Sequence, residues 1–372
     1  MSDASFTPIS SINTSVNAQP LHAYGWTAEL DGLFAPMAAA GLVPGRIVRV
    51  DRGICDVAIA DGDTVSTVRA DTGPVTHHDP LHWACTGDWA GVSVSAAGTY
   101  VQALLPRRTA VVRSTSSQRS EGQVLAANVD TVVIAASLAT APDLGRIERF
   151  LALAWESGAQ PLVVLTKADL ATDADHIRED VEQVCPGADV LVISAATGRG
   201  MDVLAACLPG TSALIGQSGA GKSTIANALL GRAVMEVQET RRADHKGRHT
   251  TTTRELLPLP GGGVLIDTPG LRGVGMYDSA DGVQQVFAEI EELAGDCRFG
   301  DCGHESEPGC AVQEALADGL LTERRLESYR KLLRENEWIA SRTDARLRAE
   351  RLKHWKAVGK AGAEAMKAKG RR

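Results

Sequence analysis

The sequence predicts a multidomain chain: a small N-terminal β-barrel of the OB type, a central α/β domain with a parallel sheet, and a C-terminal α-helical region built round a Cys/His knuckle. Three observations carry this. Short β-branched runs crowd residues 44–113. Longer apolar runs then alternate with helix-like segments over 120–273. From 274 to 357 the texture is helical, apart from three closely spaced cysteines and a histidine. At 372 residues the chain has room for two or three domains, since one usually takes about 100–200 residues.

Composition narrows the class. With 44% hydrophobic residues the chain can bury real cores. No apolar run approaches the roughly 20 residues that span a bilayer, and the N-terminus lacks a basic-then-apolar signal. A cytoplasmic protein with no membrane partner is expected. The net charge of −8 argues against a uniformly basic nucleic-acid binder. From Glu323 onward, however, 16 Lys/Arg stand against 7 Asp/Glu, a local net of +9 that leaves −17 on the remainder. A basic end on an acidic body points to a polyanion as partner of that end. The plainer reading is a solvated helix with its Lys and Arg turned outward.

Taken in order, residues 1–43 are rich in Ser, Asn, Ala and Thr and read as a partly mobile arm with one helix near 27–40. The runs RIVRV (46–50), CDVAIA (55–60), TVSTVRA (64–70), GVSVS (91–95) and YVQALL (100–105) read as strands. Turn signals such as Asp51-Arg52-Gly53 and Asp61-Gly62-Asp63 separate them. Five strands in so short a span fit an OB-fold, a fold that often meets RNA. Trp83 and Trp89 read equally well as core or as stacking platforms. Arg107, Arg108 and Arg113, at the barrel's exit, are candidate phosphate contacts.

The runs TVVIAAS (131–137), PLVVLT (161–166), DVLVIS (189–194), SALIG (212–216) and VLID (264–267) then read as buried strands. Helix-like segments over 144–157, 174–184 and 201–207 lie between the first four. This alternation implies a parallel sheet covered on both faces. Ligands of such sheets sit at the carboxyl ends of the strands, and the chemistry-bearing motifs fall there.

Gly216-x-x-x-x-Gly221-Lys222-Ser223 is a P-loop pattern placed between a strand and a helix. Its glycines let successive N–H groups face a phosphate chain; Lys222 reaches the terminal phosphates and the Ser223 hydroxyl can ligate Mg²⁺. Gln217, Ser218, Gly219, Ala220 and Thr224 complete the phosphate-binding stretch, and the helix N-terminus adds its dipole. Thr166-Lys167-Ala168-Asp169 resembles the guanine-reading element of GTPases, usually Asn-Lys-x-Asp. Asp169 would accept from the N1–H and exocyclic amine of guanine, donors that adenine does not offer together. Ser194-Ala195 resembles the element that backs the guanine carbonyl through a backbone N–H. Asp267-Thr268-Pro269-Gly270 looks like the D-x-x-G element, with Asp267 toward Mg²⁺ and Gly270 toward the γ-phosphate. In His249-Thr250-Thr251-Thr252-Thr253, where switch I belongs, Thr251 is the candidate to complete the Mg²⁺ shell.

In ordinary GTPases the P-loop comes first and the guanine reader last. Here the reader (166–169) and Ser194-Ala195 precede the P-loop, and Asp267 follows it. The site depends on strand ends lying side by side, so joining old termini and opening the chain elsewhere preserves it. A circularly permuted GTPase is expected. Leu271 follows D-T-P-G where Ras-like enzymes carry the glutamine that orients the attacking water, and an apolar side chain cannot do that. Low intrinsic turnover and stimulation by a partner are expected, with His249 the candidate catalytic group. A switch or RNA contact without catalysis is the other reading of His249.

Cys297-x4-Cys302-x-His304-x5-Cys310 offers three thiolates and one imidazole, a full tetrahedral set for structural Zn²⁺. Cys55, Cys85, Cys185 and Cys207 stand alone among apolar neighbours and read as inert packing residues. Together, GQSGAGKST, GRHTTT, DTPG and the knuckle resemble the bacterial small ribosomal subunit-dependent GTPase A family, over roughly residues 44–340. That resemblance implies a GTP phosphohydrolase acting late in maturation of the small ribosomal subunit. It would bind rRNA near the decoding region through its OB-fold and zinc domains, and leave after hydrolysis stimulated by the subunit. GTP/GDP, Mg²⁺ and one Zn²⁺ are the implied ligands, and a monomer is expected. The rival is a GTP-gated RNA-binding module with little turnover; a P-loop kinase is disfavoured by the guanine reader.

Overall fold

The computed structural model describes residues 18–114, 122–233, 254–267 and 280–343, the last helix with side chains to 337. The described residues fall into two compact units: 18–112 with 124–267, and 113–114 and 122–123 with 280–343.

In the first unit the arm is anchored. A 3-10 turn (Gln19–Tyr24) leads into α1 (Ala28–Ala39). Leu21, Trp26 and Phe34 are buried, and Trp26 meets Trp89 edge-on at 4.9 Å and Phe34 at 5.7 Å. The expected helix is there, but these aromatics make its surroundings a packed layer. Strands β1 (Val43–Val50), β2 (Ile54–Asp61), β3 (Thr64–Asp71), β4 (Trp89–Ser95) and β5 (Gly98–Leu104) form the expected barrel. Their order is β1-β2-β3-β5-β4, and β4 pairs back to β1 to close it. Ile47, Val57, Ile59, Val68, Val92 and Val101 fill the interior. Gly45 is forced by this crowding, because a Cβ there would lie 2.5 Å from Val57 Cγ1.

Trp89 is core, while Trp83 is half exposed, its Nε1–H donating to His77 O at 2.6 Å. The arginines at the barrel's exit each find a partner within the protein, Arg108 with its side chain still largely exposed. Arg107 donates from Nε and Nη2 to the fully buried Asp88 carboxylate at 2.7 and 2.8 Å. A carboxylate taken out of water needs such a partner. Arg108 pairs with Asp130, and Arg113 donates to Gln123 Oε1 at 3.0 Å.

A two-stranded ribbon follows, β6 (Ala110–Ser114) with β7 (Gly122–Ala127). Next comes the α/β layer: β8 (Thr131–Ser137), α2 (Leu144–Glu156), β9 (Gln160–Thr166), α3 (Ala174–Glu182), β10 (Asp189–Val192), α4 (Met201–Ala206), β11 (Thr211–Gly216), α5 (Lys222–Leu230), β12 (Glu255–Pro258) and β13 (Val264–Asp267). Strands run β10-β9-β8-β11-β13, all parallel, with β12 antiparallel at the end. Apolar, β-branched runs suit strands covered on both faces. The α2 helix shows the complementary pattern: Asp143 Oδ1 caps it by accepting from Arg146 N at 3.1 Å, and Ile147, Phe150, Leu151 and Ala154 bury one stripe.

The sheet does not stop at β12. Arg49 of β1 pairs with Glu255, so barrel and α/β layer share one 11-stranded sheet. Arg46 reinforces the seam. Its buried guanidinium lies 4.5 Å from the Trp89 ring centre and donates to Thr211 Oγ1 at 3.2 Å, Asn128 O at 3.4 Å and Tyr24 O at 3.3 Å. Burial brings its pKa down to about 9, against the pull of Asp88 and Asp130.

The second unit holds α6 (Ala280–Val286), α7 (Ala288–Gly295), α8 (Ala311–Ala317) and α9 (Glu323–Thr343). Arg325 is buried over the Phe287 ring at 4.2 Å and donates to Glu289 Oε1 at 2.7 Å; Tyr329 donates to Glu291 Oε1 at 2.8 Å. The expected continuation of the last helix to Ala357 and the basic tail 358–372 lie outside the described residues. Cys55, Cys85 and Cys185 are buried, and burial pushes the Cys55 and Cys85 thiols up to about 12, which keeps them inert. Cys207 is exposed, a correction to its reading as a packing residue: α4 ends one residue before it. No helix among the described residues is long and apolar enough to cross a membrane.

Candidate nucleotide site and metal cluster

Four strand ends assemble the nucleotide site. At the end of β11, Gly216 has φ 142°, and a Cβ there would come within 2.4 Å of Ala135 O in β8. Only glycine lets the two backbones approach so closely. Gly219 and Gly221 take the left-handed region, turning the loop into α5. Lys222 curls back over the loop, its Nζ donating to Gly216 O and Gln217 O, each at 2.9 Å. Burial lowers its pKa, and the nearby Asp267 opposes that. Asp267 ends β13, in register with Leu214 of β11. Burial raises the Asp267 pKa, Lys222 lowers it and Glu255 raises it. A buried cation and a half-buried carboxylate thus sit at one edge of a glycine-rich loop, with Ser223 half-buried on the first turn of α5.

At the other end of the loop stand the residues read as the guanine element. Thr166 closes β9; its buried hydroxyl donates to Ala220 O at 2.7 Å. Lys167, held at φ 60°, donates from Nζ to Gly219 O at 2.8 Å. Both residues therefore tie the base end to the phosphate end. Asp169 is exposed, and the buried Ser194 donates to its Oδ1 at 2.5 Å. Ser194 Oγ also accepts from Thr197 N at 3.2 Å, so that segment turns about the serine hydroxyl and leaves Ala195 half-buried.

The structure thus brings together Thr166, Lys167, Asp169, Ser194, Ala195, Gly216 to Thr224 and Asp267. Gly270, Thr251 and His249 lie outside the described residues, as does Leu271. The motif order alone did not reveal the Thr166–Ala220 and Ser194–Asp169 bonds; a hydroxyl at the end of each strand was the only available signal.

Carboxyl ends that are neighbours in the sheet but out of the usual order in sequence define a circularly permuted P-loop GTPase. The RsgA GTPase family profile matches residues 104–277. The chain is 62% identical over 365 residues to the small ribosomal subunit biogenesis GTPase RsgA of Streptomyces coelicolor, covering 97% of this chain and 99% of that one. Identity to the RsgA of Opitutus terrae is 44% over 356 residues, 91% of this chain and 95% of that one. Among solved structures, YjeQ from Thermotoga maritima matches with a TM-score of 0.57 at 25% identity, over 79% of this chain and 98% of that one. YloQ, described as a circularly permuted GTPase, matches with a TM-score of 0.55 at 22% identity, over 80% of this chain and 95% of that one. The chain belongs to the RsgA family of GTPases and is a GTP-hydrolysing enzyme.

The second unit carries the Cys/His cluster. The ligand atoms of Cys297, Cys302, His304 and Cys310 all lie within 4.8 Å of one another. Cys297 Sγ is 3.8 Å from Cys310 Sγ, and each is 3.5 Å from His304 Nδ1. Tetrahedral Zn²⁺, with Zn–S of about 2.3 Å and Zn–N of about 2.0–2.1 Å, sets ligand separations of about 3.8 and 3.5 Å. The residues fit such an ion. The loop is braced to hold them: Glu307 accepts from the N–H groups of Gly303, Glu305 and Ser306, and the His304 carbonyl accepts from Gln313 and Arg330. His304 takes φ 58°, an uncommon conformation for a non-glycine residue.

Proposed function

We propose that the protein is a cytoplasmic, monomeric GTPase that acts late in maturation of the small ribosomal subunit. It binds rRNA near the decoding region, and hydrolysis stimulated by the subunit drives its release. The names of its relatives support the subunit as partner, and one observation of this chain carries the mechanism: Leu271 stands where the water-orienting glutamine belongs, so the site needs help from outside.

Residues 44–113 are read as the OB-fold domain, 120–273 as the GTPase domain, and 274–357 as the zinc domain between it and the basic tail. In the site, Asp169 takes the two guanine donors and Ala195 N–H the carbonyl; the P-loop N–H groups from Gln217 to Thr224 and Lys222 hold the phosphates. Ser223 and Thr251 would hold Mg²⁺, which supplies charge neutralisation on the transferred phosphoryl. Asp267 would reach that Mg²⁺ through water, the Gly270 N–H would sense the γ-phosphate, and His249 is the proposed catalytic group of switch I. Cys297, Cys302, His304 and Cys310 would hold Zn²⁺, whose role is structural.

Co-sedimentation with purified small subunits tests the cycle. The protein should pellet with the subunit in a non-hydrolysable GTP analogue and stay in the supernatant with GDP. Binding should fall steeply as salt rises, because phosphate contacts release counterions. Equal retention in both nucleotides would instead mark a binding module whose turnover is incidental.

A further inference from the structure

The Thr166–Ala220 hydrogen bond has a consequence for how the base is read. Guanine presents donors on one edge, N1–H and the exocyclic amine, and two acceptors on the other, O6 and N7. An acceptor-only carboxylate such as Asp169 serves the donors. O6 and N7 need protein donors. An asparagine amide, the usual residue at position 166, carries two donor protons and an acceptor, so it can brace the loop and still donate to the base. A threonine hydroxyl carries one donor proton. In this structure that proton goes to Ala220 O at 2.7 Å, and Thr166 is buried against the P-loop. What the hydroxyl oxygen keeps is acceptor capacity, which N7, itself an acceptor, cannot use. The neighbouring Lys167 likewise aims its ammonium at the P-loop carbonyl of Gly219, at 2.8 Å.

We propose that Thr166 is a positioning residue that fixes the P-loop to the end of β9, and that through it the protein has given up reading purine N7. Guanine selection then rests on the donor edge, through Asp169 braced by Ser194 at 2.5 Å, and on O6. This rests on the reading of Asp169 as the guanine reader.

The test compares binding of GTP and 7-deaza-GTP, which differ only in replacing N7 by C–H. Wild type should bind both within about twofold. Thr166→Asn, which restores a spare donor, should bind 7-deaza-GTP about three- to tenfold more weakly than GTP, the contribution of one neutral hydrogen bond. Thr166→Val, which removes the brace but nearly keeps the shape, should weaken both nucleotides and leave their ratio at about one. A wild-type preference for GTP over 7-deaza-GTP of fivefold or more, on the order of one hydrogen bond, overturns the proposal. So does a Thr166→Asn variant that binds the two nucleotides equally. The underlying reading has its own arm: Asp169→Asn should lose GTP and gain XTP, whose 2-oxo group needs a donor. Failure of that exchange would remove Asp169 as reader whatever the 7-deaza ratio shows.

Discussion

Lys222→Ala should lower kcat/KM for GTP by about 10²–10³-fold, because one or two charge-assisted hydrogen bonds at about 1.5–3 kcal/mol each are lost from the phosphate end. The Lys222 ammonium is buried and already directed into the loop by Gly216 O and Gln217 O, so it meets incoming phosphates with little rearrangement. It also holds down the pKa of Asp267, which burial and Glu255 push up. Without the lysine the Asp267 pKa rises further, and more of its carboxyl is protonated as pH falls. The defect should therefore deepen toward acid pH more than the activity of wild type does. Stopped-flow phosphate release across pH measures both effects. Folding should survive, since the half-buried Asp267 can take up a proton once the lysine is gone and so leaves no unpaired buried charge. A folded Lys222→Ala protein with wild-type kcat/KM would contradict this account of the site.

With Zn²⁺ held by the Cys/His cluster as proposed, its removal should unfold the second unit. Its described helices span residues 280–343, a body small enough that a hydrophobic core alone gives little margin. The cluster holds the loop between α7 and α8, and the braces from Glu307, Gln313 and Arg330 hold that loop in register. They fix positions rather than replace ion–ligand bonds, which contribute roughly 10–16 kcal/mol in small zinc domains. Treatment with a strong chelator, or Cys297→Ser with Cys310→Ser, should release one Zn²⁺ per chain, within about a tenth, and remove a share of the helical circular dichroism. Unchanged helicity and melting after complete chelation would show that the cluster is not structural.

Much of this was legible in the sequence because backbone rules are local. The α/β strands and the five barrel strands fall where apolar and β-branched runs placed them, and Thr166, Gly216 and Asp267 each end one. The cysteine cluster was legible from spacing alone. What was not legible depends on partners far apart in sequence. β12 is four residues, Glu255–Pro258, too short to show a period; it exists because β13 and β1 pair with it on either side. Arg107 looked like a phosphate contact until Asp88, nineteen residues away, was found buried beside it. Trp26 and Phe34 lay in a stretch with a weak pattern, yet they pack edge to face on one layer. Thr166 looked like a weakened guanine element, whereas its hydroxyl is committed to Ala220.

Strand ends in permuted order build a GTP site with Leu271 where the water-orienting glutamine belongs. Multiple-turnover phosphate release at saturating GTP, with and without purified small ribosomal subunits, tests it most directly. Release by the protein alone should be slow, and subunits should accelerate it by about 10²-fold or more. Ser223→Ala should remove that acceleration, and His249→Ala should diminish it. Fast release by the protein alone, unchanged by subunits and by His249→Ala, would contradict the claim.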